Sequence, residues 1–274
     1  KEKYFHTLPA RVGKSGFISN GKTKLLMSHP VKGVLCVAGA AVPEDPVREI
    51  AAPGPNCTLA LSADGKCFAA LPAENAKRID IYKTADGKFV IGHDDNYKRL
   101  SGEEIFLEKE TLERLRQVVF FDKDGTKNRV DLRPATLENY LSIVKKYEKH
   151  AVLELKSNFT DEEIARIIEI IREYDYLDNL TFISFNYDNL LRVRKILPNQ
   201  SAQYLFWKIT DAEIERLVRD KIDVDVWVVE LTKEQIEACH RAGLKVNCWT
   251  VDDPKKAEEL ASWGIDIITS NILE

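Results

Sequence analysis

The chain has 274 residues, of which 44% are hydrophobic, and its formal net charge is −4 at pH 7. That length fits one large α/β domain as readily as two small ones. The excess of acidic side chains argues against nucleic acid or an anionic membrane surface as a partner. No apolar run approaches the roughly 18 to 20 residues that a transmembrane helix needs.

The chain begins at Lys1 and not at a methionine. Removal of an export signal would produce such a start, and so would trimming of the sequence. We expect an exported or periplasmic protein rather than a cytoplasmic one. The five cysteines are irregularly spaced without a Cys-x-x-Cys pair, which indicates buried apolar side chains rather than zinc or redox sites.

The first 75 residues show little regular pattern. "CTLALSADGKCFAAL" (57–71) predicts a hairpin around Asp64-Gly65, and the proline-rich stretch at 40–55 predicts a loop or a short helix. We expect one domain over residues 1–274, with an irregular N-terminal part (1–75) and a barrel core (76–274).

A second hairpin is predicted at the start of that core. "RIDIY" (78–82) and "KFVIGH" (88–93) are apolar runs that flank the turn "TADGK". Both runs are rich in β-branched and aromatic residues, and Asp86-Gly87 is a common hairpin turn. We interpret this hairpin as an insertion in the strand and helix order that follows.

After the hairpin, short apolar strands alternate with amphipathic helices about every 20 to 25 residues. The predicted strands are 151–156, 180–185, 202–206, 224–230, 245–251 and 265–270. The predicted helices are 136–150, 160–174, 187–197, 211–220, 232–243 and 252–264. Such alternation implies parallel strands joined by right-handed crossovers.

With "RIDIY" (78–82) counted as a barrel strand and one more strand upstream of it, these six strands give the eight of a (β/α)8 TIM barrel. The competing architecture is a doubly wound open sheet. No Gly-x-Gly-x-x-Gly follows any predicted strand, so nothing marks a dinucleotide crevice. We therefore predict the barrel.

Active sites of such barrels lie at the carboxyl ends of the strands, which directs attention to the polar residues there. Asp80 lies in the first hairpin strand and His93 closes the second. Glu154 and Lys156 are two residues apart and share one strand face. Asp80 and Glu154 could hold a divalent cation, Lys156 could neutralise a phosphate oxygen, and His93 could move a proton.

Each signal also has a simpler interpretation. A lone Glu-x-Lys is usually an ion pair in a solvated loop, and a lone His-Asp is usually a cap or a turn. Trp249 near the end of a late strand could contact the apolar part of a substrate or could be buried between strand and helix.

Four longer segments follow one another in the chain: "IDIYKTADGKFVIGHDDNYKRLSG" (79–102), "LRPATLENYLSIVKKYEKHAVLELK" (132–156), "FISFNYDNLLRVRKILPNQSAQYLF" (182–206) and "VNCWTVDDPKKAEELASWGIDIITSN" (246–271). Together and in this order, they resemble the glycerophosphodiester phosphodiesterases. The resemblance covers about residues 77 to 274. It implies a (β/α)8 barrel that uses calcium or magnesium and two histidines to cleave glycerophosphodiesters into glycerol 3-phosphate and an alcohol.

The resemblance also implies roles for individual residues. His93 corresponds to the second histidine of the family. Asp80 and Glu154 correspond to metal ligands. Lys156 corresponds to a phosphate contact, and Trp249 to a residue lining the pocket.

Two positions depart from the family's motifs. Its Glu-x-Asp metal pair is Arg78-Ile79-Asp80 here, and the guanidinium opposes cation binding but could itself hold a phosphate oxygen. The first His-Arg-Gly motif is altered as well. "LLMSHPVKG" keeps His29, whereas "VLCVAG" keeps only Gly39, and we favour the first because it supplies the other histidine.

The leading hypothesis is therefore metal-dependent hydrolysis of small-molecule glycerophosphodiesters by a divergent member of this family. The alternative is a catalytically inactive barrel that binds a phosphodiester or a sugar phosphate. Arg78 and the altered first motif favour the alternative. His93, Glu154, Lys156 and Trp249 favour the enzyme.

Overall fold

The computed structural model describes residues 76–122 and 124–271, together with strands at 15–18, 24–29, 34–39 and 48–51. Side chains are described from Arg78 onward. The chain divides into two compact units, one made of Lys1–Ala76 with Asp252–Glu274 and the other of Lys77–Val251.

The first unit contains an antiparallel sheet of four strands in the order β1-β2-β3-β4. They are β1 (Ser15–Ile18), β2 (Lys24–His29), β3 (Val34–Gly39) and β4 (Arg48–Ala51). The prediction of a loop or short helix over 40–55 is wrong at β4, because ladder hydrogen bonds with β3 keep this segment extended despite the nearby prolines. The hairpin predicted at 57–71 lies outside the described residues.

Both segments considered for the altered first motif lie in this sheet. "LLMSH" belongs to β2 and "VLCVAG" is β3, and the two strands pair antiparallel, with His29 opposite Val34. In the described part of the chain, neither strand belongs to the parallel sheet. Their antiparallel pairing is available to strands that follow one another closely in sequence, whereas a parallel partner needs a longer crossover.

The second unit opens with the predicted hairpin. Strand β5 (Ala76–Lys83) pairs antiparallel with β6 (Phe89–Ile91), which confirms the prediction. In the turn, the Thr84 amide donates to the Lys88 carbonyl at 2.8 Å. Gly87 adopts a φ of +71°, a conformation that glycine reaches without a steric penalty.

Five further strands of this unit are parallel to one another. They are β7 (His150–Leu155), β8 (Leu180–Ser184), β9 (Ala202–Phe206), β10 (Asp223–Trp227) and β11 (Val246–Trp249). The order in the sheet is β6-β5-β7-β8-β9-β10-β11. Apart from the hairpin strand β6, which lies at the edge beside β5, consecutive strands are neighbours. The sheet lacks the reversal that a doubly wound sheet shows at its switch point, which favours the barrel prediction over its competitor.

Helices connect these strands. They are α1 (Lys98–Ser101), α2 (Leu112–Leu115), α3 (Leu137–Lys146), α4 (Asp161–Glu173), α5 (Tyr187–Ile196), α6 (Asp211–Asp220) and α7 (Lys233–Arg241). The last five, α3 to α7, lie within predicted helices, whereas the short α1 and α2 were not predicted. Thr136, Thr160 and Thr232 form capping boxes that satisfy exposed amides at the helix starts. The strand predicted over 224–230 ends at Trp227, and Val228–Glu230 is a 3-10 turn.

The apolar core lies between the helices and the outer face of the sheet. Helix α4 contributes Ile164, Ile167, Ile168 and Ile171, all fully buried. The opposite, inner face carries a buried polar layer that includes Glu154, Gln203, Asp225 and Asn247. The Asn247 side-chain amide donates to Gln203 Oε1 at 3.2 Å, which connects strands β9 and β11 across β10.

The parallel sheet is curled. Four steps of the sheet separate β5 from β10, which would put them nearly 20 Å apart in a flat sheet at about 4.8 Å per step. The guanidinium of Arg78 on β5 nevertheless acts electrostatically on Asp225 of β10. The curvature of the sheet brings the inner faces of distant strands toward one another, as in a (β/α)8 barrel.

The C-terminal segment of the first unit contains α8 (Pro254–Ser262) and β12 (Ile267–Ile268). Asp253 caps α8, and β12 is shorter than the strand predicted over 265–270. Asp252 accepts hydrogen bonds from the Ser270 hydroxyl at 3.0 Å and the Asn271 amide at 2.8 Å. Among the described helices, none has both the length and the apolar character required to cross a membrane.

Candidate active site

Four of the predicted site residues meet on the inner face of β5 and at the carboxyl end of β7. We call Arg78, Asp80, Glu154 and Lys156 the charged cluster. Arg78 Nε lies 3.2 Å from Asp80 Oδ1, and Arg78 Nη2 donates to Glu154 Oε2. Lys156 Nζ lies 3.1 Å from the other oxygen, Glu154 Oε1, as an ion pair. Each oxygen of Glu154 therefore faces a cation.

Glu154 is fully buried, and its environment depends on these cations. Burial raises the pKa of Glu154, and the neighbouring Asp80 acts in the same direction. Arg78 and Lys156 oppose this effect. A buried carboxylate needs such partners to remain charged, so Glu154 cannot lose either cation without a cost in stability.

Arg78 is the centre of this arrangement. Burial lowers the pKa of its guanidinium, but three neighbouring carboxyl groups together raise it above the usual value. The side chain is 25% exposed, whereas that of Glu154 is 1% exposed. Arg78 is therefore a permanent cation that stays partly accessible to solvent.

Asp225 also faces the inside of the sheet, and the sequence did not single it out. It is 1% exposed, and its Oδ1 has no hydrogen-bond partner among the described residues. Burial raises the pKa of Asp225 to about 8, which Arg78 partly offsets and Glu154 reinforces. The alternation of Asp223, Asp225 and Trp227 along β10 is the sequence signal that could have identified it.

His93 lies at the end of the hairpin and is held there by its backbone. The Gly92 amide donates to the Asp80 carbonyl at 3.0 Å, and the Tyr82 hydroxyl donates to the His93 carbonyl at 3.5 Å. The imidazole is 66% exposed. In the described part of the chain it forms no hydrogen bond with the charged cluster.

A carboxylate and a guanidinium orient the His93 ring. His93 Nδ1 lies 2.8 Å from Asp94 Oδ1, and Arg99 Nε donates to Asp94 Oδ2 at 2.8 Å. Arg99 and His93 lower the pKa of Asp94, so this carboxylate is ionised. The arrangement favours a proton on Nδ1 and leaves Nε2 as the atom that can exchange a proton with a substrate.

The second predicted histidine remains a prediction. His29 is the last residue of β2, but its side chain lies outside the described part of the chain.

Trp249 lies in a group of four aromatic residues at successive strand ends. We call Phe185, Trp207, Trp227 and Trp249 the aromatic cluster. The ring of Trp207 lies 5.2 Å from that of Trp249, 5.6 Å from Trp227 and 5.8 Å from Phe185, measured between centroids. Trp207 is 58% and Phe185 39% exposed.

The aromatic cluster adjoins the inner polar layer. Trp249 Nε1 donates to the Asp225 carbonyl at 3.2 Å, which fixes this ring beside β10. The exposed rings therefore offer an apolar surface at the end of the sheet where the strands finish. Only Trp249 was recognised from the sequence. Phe185 and Trp207 also stand at the end of an apolar run, whereas Trp227 lies inside the run predicted over 224–230, and only the structure ends the strand there.

The donors of the charged cluster do not fit calcium or magnesium. Magnesium can bind through one or two carboxylates with water, and calcium takes six to eight oxygen ligands, but both carboxylates here, Asp80 and Glu154, already bind the Arg78 guanidinium, whose charge opposes a second cation. Within the described residues, no group of three histidine, cysteine, aspartate or glutamate side chains is placed to hold a metal ion.

Comparison with known families gives a match over most of the chain. The sequence profile of the glycerophosphoryl diester phosphodiesterase family matches residues 79–274. A curated relative, the glycerophosphodiester phosphodiesterase of Caldanaerobacter subterraneus subsp. tengcongensis, is 26% identical over 199 residues. That alignment covers 70% of this chain and 81% of the relative.

Solved structures give the same fold. A phosphodiesterase of Oleispira antarctica in complex with the product sn-glycerol-3-phosphate is 27% identical, with a TM-score of 0.63 over 70% of this chain and 79% of that one. A glycerophosphodiester phosphodiesterase of Parabacteroides distasonis is 25% identical, with a TM-score of 0.61 over 73% of this chain and 80% of that one. These likenesses confirm the predicted barrel fold.

Proposed function

Because this chain belongs to the glycerophosphoryl diester phosphodiesterase family, we propose that it hydrolyses glycerophosphodiesters to glycerol 3-phosphate and an alcohol. The observation that carries this proposal is the charged cluster. Arg78, Asp80, Glu154 and Lys156 come from two separate segments, yet they converge on the inner face of adjacent strands. This is the part of a barrel where substrates bind.

The cations of the cluster would bind the phosphodiester anion. The Lys156 side chain is 17% exposed, and its ammonium is ion-paired with one oxygen of Glu154. An ammonium has three N–H donors, so donors remain for a phosphate oxygen. Glu154 would keep both cations in place while the substrate enters. The charge of the phosphodiester is then matched by groups that are already ordered before binding.

His93 would transfer the proton. With Nδ1 directed at Asp94, its Nε2 can take a proton from the attacking hydroxyl or give one to the departing alcohol oxygen. A second acid or base on the other side of phosphorus is needed for an in-line displacement. His29 remains our candidate for that role.

The aromatic cluster would contact the alcohol portion of the substrate. Its exposed rings, Phe185 and Trp207, present apolar faces at the strand ends. Aromatic faces accept both aliphatic chains and alkylammonium groups. The cluster therefore suits an alcohol with apolar or cationic substituents.

A second function is supported by one observation. Arg78 binds both carboxylates that the resemblance assigns to a metal. A barrel that had lost catalysis could keep such a pocket to bind a phosphodiester or a sugar phosphate. Hydrolysis and binding without turnover make different predictions in a single assay.

The experiment is an assay of released glycerol 3-phosphate from glycerophosphocholine and glycerophosphoethanolamine. It is run with calcium, with magnesium and with a chelator, since the predicted divalent cation stays a prediction. Release of product under any of these conditions supports the enzyme. If the folded protein binds the substrate saturably but releases no glycerol 3-phosphate, only the binding function remains.

The variant His93→Ala tests the assigned proton transfer. We expect a loss of turnover of roughly a hundredfold or more, as for removal of a general acid or base. His240→Ala, an exposed histidine on α7, is the matched control and is expected to turn over normally. Unchanged turnover in His93→Ala would remove this residue from the reaction.

A further inference from the structure

The charged cluster contains its own cation. Two strands contribute one carboxylate each, Asp80 from β5 and Glu154 from β7, and both bind the same guanidinium. Because Glu154 is fully buried, the Arg78 charge offsets a carboxylate that water cannot reach. The Arg78 guanidinium therefore occupies the position between the two carboxylates.

The guanidinium still has donors to offer. It carries five N–H groups, and its hydrogen bonds to Asp80 and Glu154 use Nε and one N–H of Nη2. The remaining N–H groups have no hydrogen-bond partner among the described residues. Arginine presents such groups in a planar fork that matches two oxygens of a phosphate.

A second cation stands on the same carboxylate. Lys156 Nζ contacts Glu154 Oε1 at 3.1 Å, while Arg78 contacts Oε2. Both cations are therefore fixed relative to each other by one buried side chain. A phosphate oxygen placed between them would meet positive charge from two directions.

We propose that the Arg78 guanidinium replaces the divalent cation in this site, so that Arg78 and Lys156 together bind the substrate phosphate without a metal. The inference rests on the proposed function for the identity of the anion. It departs from what the family resemblance implies, since the two carboxylates act on an arginine and not on calcium or magnesium.

The first test uses the unaltered protein and measures binding of sn-glycerol 3-phosphate by calorimetry. We expect saturable binding in chelator, with an affinity that added calcium or magnesium changes by no more than about twofold. Binding that appears only with a divalent cation would overturn the inference, and so would an absence of binding under every condition.

The second test changes the cation itself. Arg78→Gln is expected to weaken glycerol 3-phosphate binding by roughly tenfold or more, because a charge-assisted contact is lost. Arg166→Gln, an exposed arginine paired with Glu169 on α4, is the matched control and is expected to bind normally. Equal affinities of Arg78→Gln and the unaltered protein would sink the idea.

The third test asks whether a metal site can be restored. In Arg78→Glu a third carboxylate joins Asp80 and Glu154, and we expect this variant to gain saturable calcium or magnesium binding. The metal should then raise its Tm, because a ligand that binds only the folded state stabilises it. The unaltered protein should show neither effect, and saturable metal binding at its cluster would contradict the proposal.

These outcomes separate the inference from the proposed function. Diester hydrolysis that proceeds in chelator supports both. Binding of glycerol 3-phosphate in chelator without any hydrolysis supports the role of Arg78 and rejects the enzyme. Hydrolysis that requires a divalent cation supports the enzyme and rejects the role of Arg78.

Discussion

Lys156 is the residue for which charge and position together give the clearest prediction. Its ammonium lies 3.1 Å from Glu154 and has room for a second anion. In Lys156→Met we expect KM for a glycerophosphodiester to rise roughly tenfold to a hundredfold, since a hydrogen bond to a charged group contributes about 1.5 to 3 kcal/mol. Steady-state kinetics measure this change.

The matched control is Lys195→Met. Lys195 is also ion-paired, with Asp161 Oδ2 at 3.0 Å, but it lies on helix α5 in the outer layer. The KM of the Lys195→Met variant should equal that of the unaltered protein. An unchanged KM in Lys156→Met, from protein with an unchanged Tm, would mean that Lys156 does not contact the substrate.

In the proposed reaction, Asp94 would act only through the ring of His93, to which it is hydrogen-bonded. Replacing it by asparagine in Asp94→Asn keeps the shape but removes the carboxylate that fixes the Nδ1 proton. We expect kcat to fall by roughly ten- to a hundredfold with little change in KM, because general acid-base catalysis contributes at least that much. Arg99→Ala should act in the same direction and less strongly.

Asp95→Asn provides the comparison for Asp94→Asn. Asp95 is the next residue, is exposed, and accepts a hydrogen bond from Asn96 at 2.7 Å rather than from His93. Normal kcat in Asp95→Asn together with reduced kcat in Asp94→Asn supports the positioning role. Equal losses in both variants would indicate a general disturbance of the loop.

At the residue scale, the sequence identified those site residues that share a strand with a recognisable motif. Asp80, Glu154 and Lys156 were found in this way, and the structure brings them together with Arg78. Asp225 was missed because its distance from Arg78 depends on the curl of a sheet in which β8 and β9 lie between β7 and β10. Short-range patterns contain no information on such a distance.

At the scale of elements, the predictions succeeded where the structure is local. The hairpin turn, the positions of the longer helices and the period of the strands are each determined by a few consecutive residues. They failed where a neighbouring strand decides the outcome. Arg48–Ala51 is extended because it pairs with β3, and the strand β10 gives way to a 3-10 turn after Trp227 although Val228 and Val229 favour a strand.

The aromatic cluster is a property of four elements and gives a prediction of its own. Trp207 contacts all three other rings and is more exposed than Phe185, the other exposed member of the cluster. In Trp207→Ala we expect KM for glycerophosphocholine to rise by roughly fivefold or more, because a ring contact with an alkylammonium group contributes about 1 kcal/mol. The KM for glycerophosphoglycerol should change less.

The test of this prediction is whether KM rises more for glycerophosphocholine than for glycerophosphoglycerol. Tyr147→Ala removes another exposed aromatic ring, next to the end of α3, and should leave both KM values unchanged. If KM rises equally for both substrates in Trp207→Ala, the aromatic cluster supports folding or contacts the glycerol part of the substrate, and does not contact the alcohol part.

At the scale of the whole molecule, the family match and the described unit agree on where the barrel lies. The match covers residues 79–274, and the curled parallel sheet begins at β5. The N-terminal strands β1 to β4 form an antiparallel sheet that the sequence patterns did not predict. The single-domain interpretation and an exported or periplasmic location both stay predictions.

The half-buried His150 and the buried Asp225 make the stability of the whole protein depend on pH in opposite directions. Burial lowers the pKa of His150 below 6.5, so the unfolded chain binds a proton more readily and stability falls as pH drops below about 6.5. Burial raises the pKa of Asp225 from 3.8 to about 8. Its native state keeps a proton that the unfolded state loses, so stability falls as pH rises from 3.8 to about 8.

The variant Asp225→Asn isolates the second effect. The amide resembles the protonated carboxyl in shape and cannot ionise, so the decline of stability between pH 4 and 8 should become shallower, and the free energy of unfolding at pH 8 should rise by a few kcal/mol. Urea unfolding at several pH values measures both. Asp178→Asn, at an exposed aspartate, should leave the curve unchanged. If Asp225→Asn also follows the original curve, Asp225 is ionised in the folded protein, and Arg78 would then balance three carboxylates and not two.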